Sequence, residues 1–516
     1  MTQAKPDAAD GVSFELADPN PRALIESLRS VGYSVQTAVA DIIDNSITAK
    51  AGSVWVDFRW NGADSSITIL DDGRGMSERG LHDAMRPGTM GPMERRDDRD
   101  LGRFGLGLKT ASFSQCRRLT VWSKTDGGSL EGKRWDLDYV VKHNAWRLQK
   151  DLERPEESAF TELQRLRSGT LVLWTKLSGL IAEGNPGEDE LHRRFLSHVE
   201  DVRHYLSMIF HRYLEGRPGG RQAPLRIFIN GTPLTGWDPF RASDTVPSEC
   251  SPVEPILYKG EIVSFRGYVL PHKDRLSESE FKAAGGPRGW IAQQGFYIYR
   301  NDRMLLAGDW LRLGRGGRTW AKEEQYKLAR MSIDIGNSLD LDWALDVKKS
   351  TARPPMALRD RLTGLAEGMR KQAKEVFLFR GTYGPRPKAR AVVTERPWNS
   401  VVRGDRTVYQ INREHPLVKG VIQRLGPLAK EVDAVLRLIE ETVPVERIWI
   451  DAAESDREHA IPYEGLTEAQ LRTDILKTYE FLRASGLNRE TAIAHLLACE
   501  PFNRYPNLVE SIERTP

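Results

Sequence analysis

What most constrains this chain is the order of four short tracts: ADIIDN, carrying Asp41 and Asn45, then DDGRG from Asp71 to Gly75, GRFGLG from Gly102 to Gly107, and SGT from Ser168 to Thr170. Alone, each is weak, since a DxGxG tract is usually a turn and most glycine-rich loops bind no phosphate. Their surroundings make the set informative. In GYSVQTAVADIIDNSITAKAG the apolar Val35, Ala38, Val39, Ile42 and Ile43 recur at helical spacing, with Ser34 placed to cap the start and Gly52 to end it. SVWVDFRW and SSITILDD alternate as strands, and the second runs into DDGRG. GRFGLG opens a further helical run, and RLTVWSK, RWDLDYVV and GTLVLWTKL read as more strands. Mixed strands and helices of this kind predict an α/β sandwich ending near residue 180.

The residue types suit a purine triphosphate. A carboxylate at a strand end, Asp71, can accept from the exocyclic amine of adenine, while Gly73 and Gly75 let the backbone turn tightly beneath the base. Backbone N–H groups of Gly102, Gly105, Gly107 and neighbours at a helix start can cradle phosphates, with Lys109 adding positive charge. Asn45 offers a neutral oxygen to magnesium. Asp41 lies one helical turn earlier on the same face, placed to orient or deprotonate a water. Asp44 is the rival base, but it faces about 100° around the helix. Thr170 would bring its hydroxyl near Asp71 and the base.

These tracts, in this order and context, resemble the GHKL family of gyrase B, heat-shock chaperones, histidine kinases and MutL; within it GRFGLGLKTAS is most similar to the MORC ATPases. The resemblance implies a Bergerat-type fold and magnesium-dependent ATP hydrolysis. Asp71 becomes the adenine ligand, Asn45 the metal ligand and Lys109 a phosphate contact, with Met76 and Leu106 among the nucleotide-binding residues. It also places an ATP lid over MRPGTMGPMERRDDRD, Met85 to Asp100. The family usually has glutamate where Asp41 stands, and aspartate draws the carboxylate back by about 1.5 Å. A closer helix, a bridging water or slow hydrolysis would each accommodate that. GFYIYRNDRMLL resembles the N-x-R turn of MORC and MutL transducer domains, and LDVKKSTAR occupies the place of a lysine reaching the γ-phosphate. Lys348 and Lys349 are adjacent, so in an extended segment only one points inward; Lys349 is preferred.

The expected architecture is α+β. An ATP-binding domain over 1–180 precedes a transducer-like α/β domain over 181–378, a basic Pro/Gly-rich linker over 379–407 and a mostly helical region over 408–516. The last contains one strand, RIWIDAA. With 75 Lys+Arg against 72 Asp+Glu the net charge is only +3, so any polyanion contact must be local. Arg312, Arg315 and Arg318 around one glycine-rich loop, and Arg386, Lys388 and Arg390 in the linker, are the candidate DNA phosphate contacts. The three cysteines are far apart without C-x-x-C spacing, which excludes a zinc site and predicts a reducing, cytoplasmic setting. No apolar run approaches the roughly 20 residues a membrane helix needs. The first histidine is His82, inside the ATP domain, so no phosphoacceptor helix precedes it.

No endonuclease motif is present, and the resemblance then implies an ATP-dependent homodimer that clamps DNA and works with a separate nuclease in restriction or phage defence. Two alternatives are a chaperone-like ATPase acting on protein, and a nucleotide-gated dimerisation scaffold with little hydrolysis.

Overall fold

The structure, a computed structural model, describes residues 19–30, 32–87, 107–178, 187–216, 223–242, 244, 246–345, 352–378, 397–403, 406–445, 463, 465–484, 486–499, 502 and 505–512. The chain divides into two compact units, residues 1–377 and 378–516. The first unit opens with α1 (Pro21–Arg29), α2 (Val35–Thr48), β1 (Ser53–Arg59), β2 (Ser66–Asp71), α3 (Glu78–Met85), α4 (Gly107–Gln115), β3 (Cys116–Lys124), β4 (Glu131–Asp136), α5 (Leu137–His143), α6 (Ser158–Arg165) and β5 (Gly169–Leu177). Then come α7 (Glu188–Ile209), α8 (His211–Leu214), β6 (Arg226–Ile229) and β7 (Thr232–Pro233).

These strands form one seven-stranded sheet, ordered β4-β3-β5-β2-β1-β6-β7. Alternation decides its faces: Val54, Val56 and Phe58 of β1 join the helix-covered core, whereas Leu70, Trp122 and Leu171 face the other way onto α6. The sheet extends past residue 180, because LRIFING supplies β6, which pairs in parallel with β1 at its free edge. LRIFING reads as a strand, and a boundary at 180 puts it in the second α/β block; its pairing with β1 makes it part of the first sheet instead.

The second block contains β8 (Glu249–Cys250), β9 (Glu254–Tyr258), β10 (Glu261–Val269), α9 (Glu278–Gly285), α10 (Gly289–Ala292), β11 (Gly295–Arg300), β12 (Arg303–Asp309), β13 (Gly314–Arg315), β14 (Arg318–Thr319), β15 (Ala329–Ile335) and α11 (Met356–Leu378). Its main sheet runs β12-β11-β15-β10-β8, with β9 pairing β10. One face carries Val263, Phe265, Ile298 and Ile333 against Leu358, Leu362, Ala366 and Met369 of α11. Gly267 permits that approach, since a Cβ there would lie 2.4 Å from Met369 Sδ. The opposite face carries Tyr268, Tyr297, Tyr299 and Met304 into the same apolar cluster as Phe210 and Tyr213, so one core runs from the first sheet into the second.

In the second unit, Trp398–Arg403 and Arg406–Ile411 pair as a hairpin within and just past the stretch read as linker. The apolar spacing of PLVKGVIQRLGPLAKEVDAVLRLIEET reads as one helix, but the structure has two, Pro416–Arg424 and Ala429–Glu441, interrupted where Gly426 takes φ +51° ahead of Pro427. Helices Glu468–Ala484, Arg489–Ala498 and Pro506–Ser511 close around Ile475, Leu496 and Phe502. The RIWIDAA tract lies outside the described residues. Among the described residues, no helix is long and apolar enough to cross a membrane.

Candidate nucleotide site

Helix α2 is apolar around most of its circumference and is correspondingly buried on most sides. Ser34 stands at its N-cap, though its hydroxyl bonds Thr37 Oγ1 at 3.0 Å rather than a backbone N–H. The polar residues of α2 leave in different directions. Asp41 is 6% exposed, and Tyr33 Oη donates to its Oδ2 at 2.8 Å. A Cβ placed on Gly107, the first residue of α4, would lie 3.7 Å from that same Oδ2. The glycine tract therefore delivers its helix start directly against Asp41. Asn45, one turn on, is exposed. Asp44 points elsewhere: Arg303 Nε of β12 donates to its Oδ1 at 3.2 Å, and both side chains are 1% exposed. Held in an ion pair, Asp44 is not placed as the base.

Asp71 closes the other end. Ser46 Oγ donates to Asp71 Oδ2 at 2.9 Å and Gly73 N–H to Oδ1 at 2.9 Å. Burial pushes this carboxyl up to about 6, against hydrogen bonds from the Gly73 backbone, Ser46 and the Thr170 backbone that favour its ionised form. Thr170 sits directly across from Asp71 in the β2–β5 register, and its hydroxyl meets Ser123 Oγ at 2.9 Å. Ser123 Oγ also accepts from the Met76 N–H at 2.9 Å, so β3 fixes the turn after DDGRG. That turn leaves no room for side chains. At Gly75, with φ +66°, a Cβ would fall 1.9 Å from the Lys124 carbonyl oxygen, and at Gly73 one would meet Ala49 Cβ at 2.9 Å.

Lys109 is 3% exposed, its Nζ donating to the Ala84 carbonyl in the last turn of α3 at 2.9 Å, and burial lowers its ammonium to about 8. Trp135 Nε1 donates to the neighbouring Met85 carbonyl at 3.0 Å. The bond to Ala84 uses one of the three ammonium donors, so it does not by itself exclude a phosphate contact. Gly102, Gly105 and Leu106, Lys348 and Lys349, most of the lid tract, and Arg386, Lys388 and Arg390 lie outside the described residues. Arg312, Arg315 and Arg318 are exposed, the last two at a β13–β14 turn through Gly316 and Gly317. Arg315 pairs with Glu367 at 2.8 Å, also exposed.

A seven-stranded mixed sheet with the DDGRG turn at a strand end and the helix of Asp41 and Asn45 across it defines a nucleotide-binding domain. Consistent with that geometry, residues 33–170 match the family described as histidine kinase-, DNA gyrase B-, and HSP90-like ATPase. The domain over these residues is a GHKL-superfamily ATPase domain. Its sequence is MORC-like: over 91 residues, 18% of the chain, it is 31% identical to the ATPase morc-1 of Caenorhabditis elegans. Those residues cover 10% of that relative, so the chain matches about a tenth of its length.

Sequence reasoning missed Tyr33, Ser46 and Ser123, and reached Arg303 only as part of an N-x-R turn, not as the partner of Asp44. Ser46 was the most accessible, as the next residue after Asn45 on the same helix. Tyr33 precedes the helix, and Ser123 and Arg303 reach the site from other strands, so no local spacing marks them.

Proposed function

We propose that this chain is a magnesium-dependent MORC/MutL-like ATPase of the cytoplasm that pairs with a second copy when ATP is bound, closes on DNA, and reopens on hydrolysis. We place it beside a separate nuclease in restriction or phage defence. One observation carries the reading. A single helix presents Asp41 to the helix start at Gly107 and, through Ser46, engages Asp71 at the far end, so catalytic carboxylate, phosphate cradle and adenine ligand are set out along α2.

In that reading Asp71 accepts from the adenine amine, and the tight backbone at Gly73 and Gly75 lets the base lie against the chain. Asp41, held by Tyr33, orients or takes a proton from the attacking water. Magnesium fits through one protein donor: the exposed Asn45 amide oxygen would hold it, leaving other positions to phosphate oxygens and water. When bound it supplies neutralisation of phosphate charge. The exposed Arg312, Arg315 and Arg318 suit sequence-independent phosphate contact, with DNA displacing Glu367 from Arg315.

Sedimentation with and without a non-hydrolysable ATP analogue, repeated with duplex DNA, tests this. The expected outcome is a dimer formed only with the analogue and retained on DNA, and Asn45→Ala should abolish it by removing the metal donor. A chain that stays monomeric with saturating analogue refutes the clamp.

A further inference from the structure

The turn joining β11 to β12 consists of two residues, Asn301 and Asp302, between the paired Arg300 and Arg303. Both central residues take left-handed backbone, φ +48° and +63°, as a tight hairpin of this length requires. Each turn side chain reaches a different place. Arg300 pairs with buried Asp340 at 2.5 Å, and Asn301 Nδ2 donates to Asn337 Oδ1 at 3.1 Å, together holding the segment that precedes LDVKKSTAR. Asp302 accepts from Arg212 at 3.2 Å, and Arg212 in turn pairs with Asp334 of β15. Arg303 crosses into the first block to reach Asp44, bonding the Met304 carbonyl at 2.8 Å on the way and lying 5.6 Å from the Phe210 ring centroid.

We propose that this turn is the joint by which the second α/β block sets the position of α2, with Arg303 as a positioning residue for Asp41 and Asn45. The proposal rests on the ATPase reading above. Asp44 lies three residues from Asp41 and next to Asn45, so a displacement of β12 relative to the first sheet reaches both through one rigid helix. Attraction to Asp44, Tyr205 and Asp41 holds Arg303 firmly in its charged form despite complete burial. A buried pair of this kind adds little stability over well-packed apolar residues, but it fixes direction and separation, which apolar packing does not. Hydrolysis depends on such placement, since a shift of about 1 Å can cost on the order of a hundredfold in rate.

The test uses the full chain carrying Asp44→Leu with Arg303→Met, which removes both charges together and leaves no lone ion buried. Arg303→Lys, which keeps the charge without the planar fork, is measured beside it. Melting temperature, affinity for a non-hydrolysable ATP analogue, and steady-state kcat and KM are read for each. In the folded double variant analogue affinity should stay within about threefold of the parent while kcat falls about tenfold or more, with Arg303→Lys between the two. An unchanged kcat in either folded variant overturns the proposal. So does a loss that disappears when rates are normalised to the folded fraction. If the parent chain itself neither binds the analogue nor hydrolyses ATP, it is the ATPase reading that falls, and the comparison among variants shows which has failed.

Discussion

Replacing Asp71 with asparagine separates its proposed role as an adenine ligand from its cost to the nucleotide-free fold. Burial raises the Asp71 carboxyl from 3.8 to about 6. In the nucleotide-free protein the folded state therefore holds a proton that the unfolded chain has lost between those values. Stability falls as pH climbs through that window and is level above about 6. Two pKa units correspond to about 3 kcal/mol, a net figure in which the opposing Ser46 and Gly73 hydrogen bonds are already included. Asp71→Asn should accordingly melt above the parent at pH 7 without nucleotide, with the difference shrinking towards pH 4. Binding runs the other way. In that role the adenine amine bonds an ionised carboxylate more strongly than a neutral carboxyl, so affinity is full above about 6 and falls below it. Between pH 7 and pH 5 the Kd of a non-hydrolysable ATP analogue should rise about tenfold. Calorimetric titration across that range, run in parallel on Asp71→Asn, removes the titration of the nucleotide's own phosphates, because asparagine cannot ionise. Identical pH slopes for the two proteins would refute Asp71 as the adenine ligand.

Asp41→Asn should keep the analogue bound and lower turnover by about a hundredfold or more, and Tyr33→Phe, which loses one 2.8 Å hydrogen bond, by up to about tenfold at unchanged affinity. Steady-state assays beside binding titrations read both. Gly75→Ala should destabilise the chain by more than about 2 kcal/mol in chemical denaturation, because φ is +66° and the new methyl would overlap the Lys124 carbonyl. Arg315→Ala with Arg318→Ala should weaken DNA binding uniformly across sequences and reduce the slope of log affinity against log salt by about one per arginine lost, read by fluorescence anisotropy.

Much of the site is written in local periodicity. The apolar spacing around Asp41 locates α2, alternation before Asp71 locates β2, and the glycines before Lys109 mark a helix start, because each depends on neighbours within a turn or a strand. The remaining contacts depend on choices made at a distance. Nothing near Arg303 says that its partner is Asp44, 259 positions away, and nothing in LRIFING says that β6 will complete the first sheet in parallel with β1. The N-x-R resemblance drew attention to Asn301 and Arg303 without revealing that they bond different elements. Likewise, a lysine after the glycines reads as a phosphate ligand from its position, whereas its burial and its bond to Ala84 follow from how α3 packs on α4. The break at Gly426 and Pro427, by contrast, carries a local signal in that dipeptide, which the continuous apolar spacing on either side of it outweighs.

The short carboxylate at position 41 is best understood through what surrounds it. The GHKL resemblance puts glutamate there, and lengthening Asp41 by one methylene would restore the usual residue and extend the carboxylate by about 1.5 Å. In this chain the shorter acid is already engaged. Oδ2 is engaged by Tyr33, and the backbone of Gly107 stands so near that its missing Cβ would lie 3.7 Å away. Helix α2 is held in place, because Asp44 is tied to Arg303 on one side, Ser46 to Asp71 on another, and Val39, Ile42 and Ile43 are buried. A longer side chain would carry its carboxylate out of the position that the Tyr33 hydroxyl now holds and towards the start of α4. Asp41→Glu should thus turn over ATP more slowly than the parent, bind the analogue more weakly, and regain neither property when Tyr33→Phe is added to make room. Faster hydrolysis by Asp41→Glu at an unchanged melting temperature would show that the closeness of α4 does not compensate for the shorter acid.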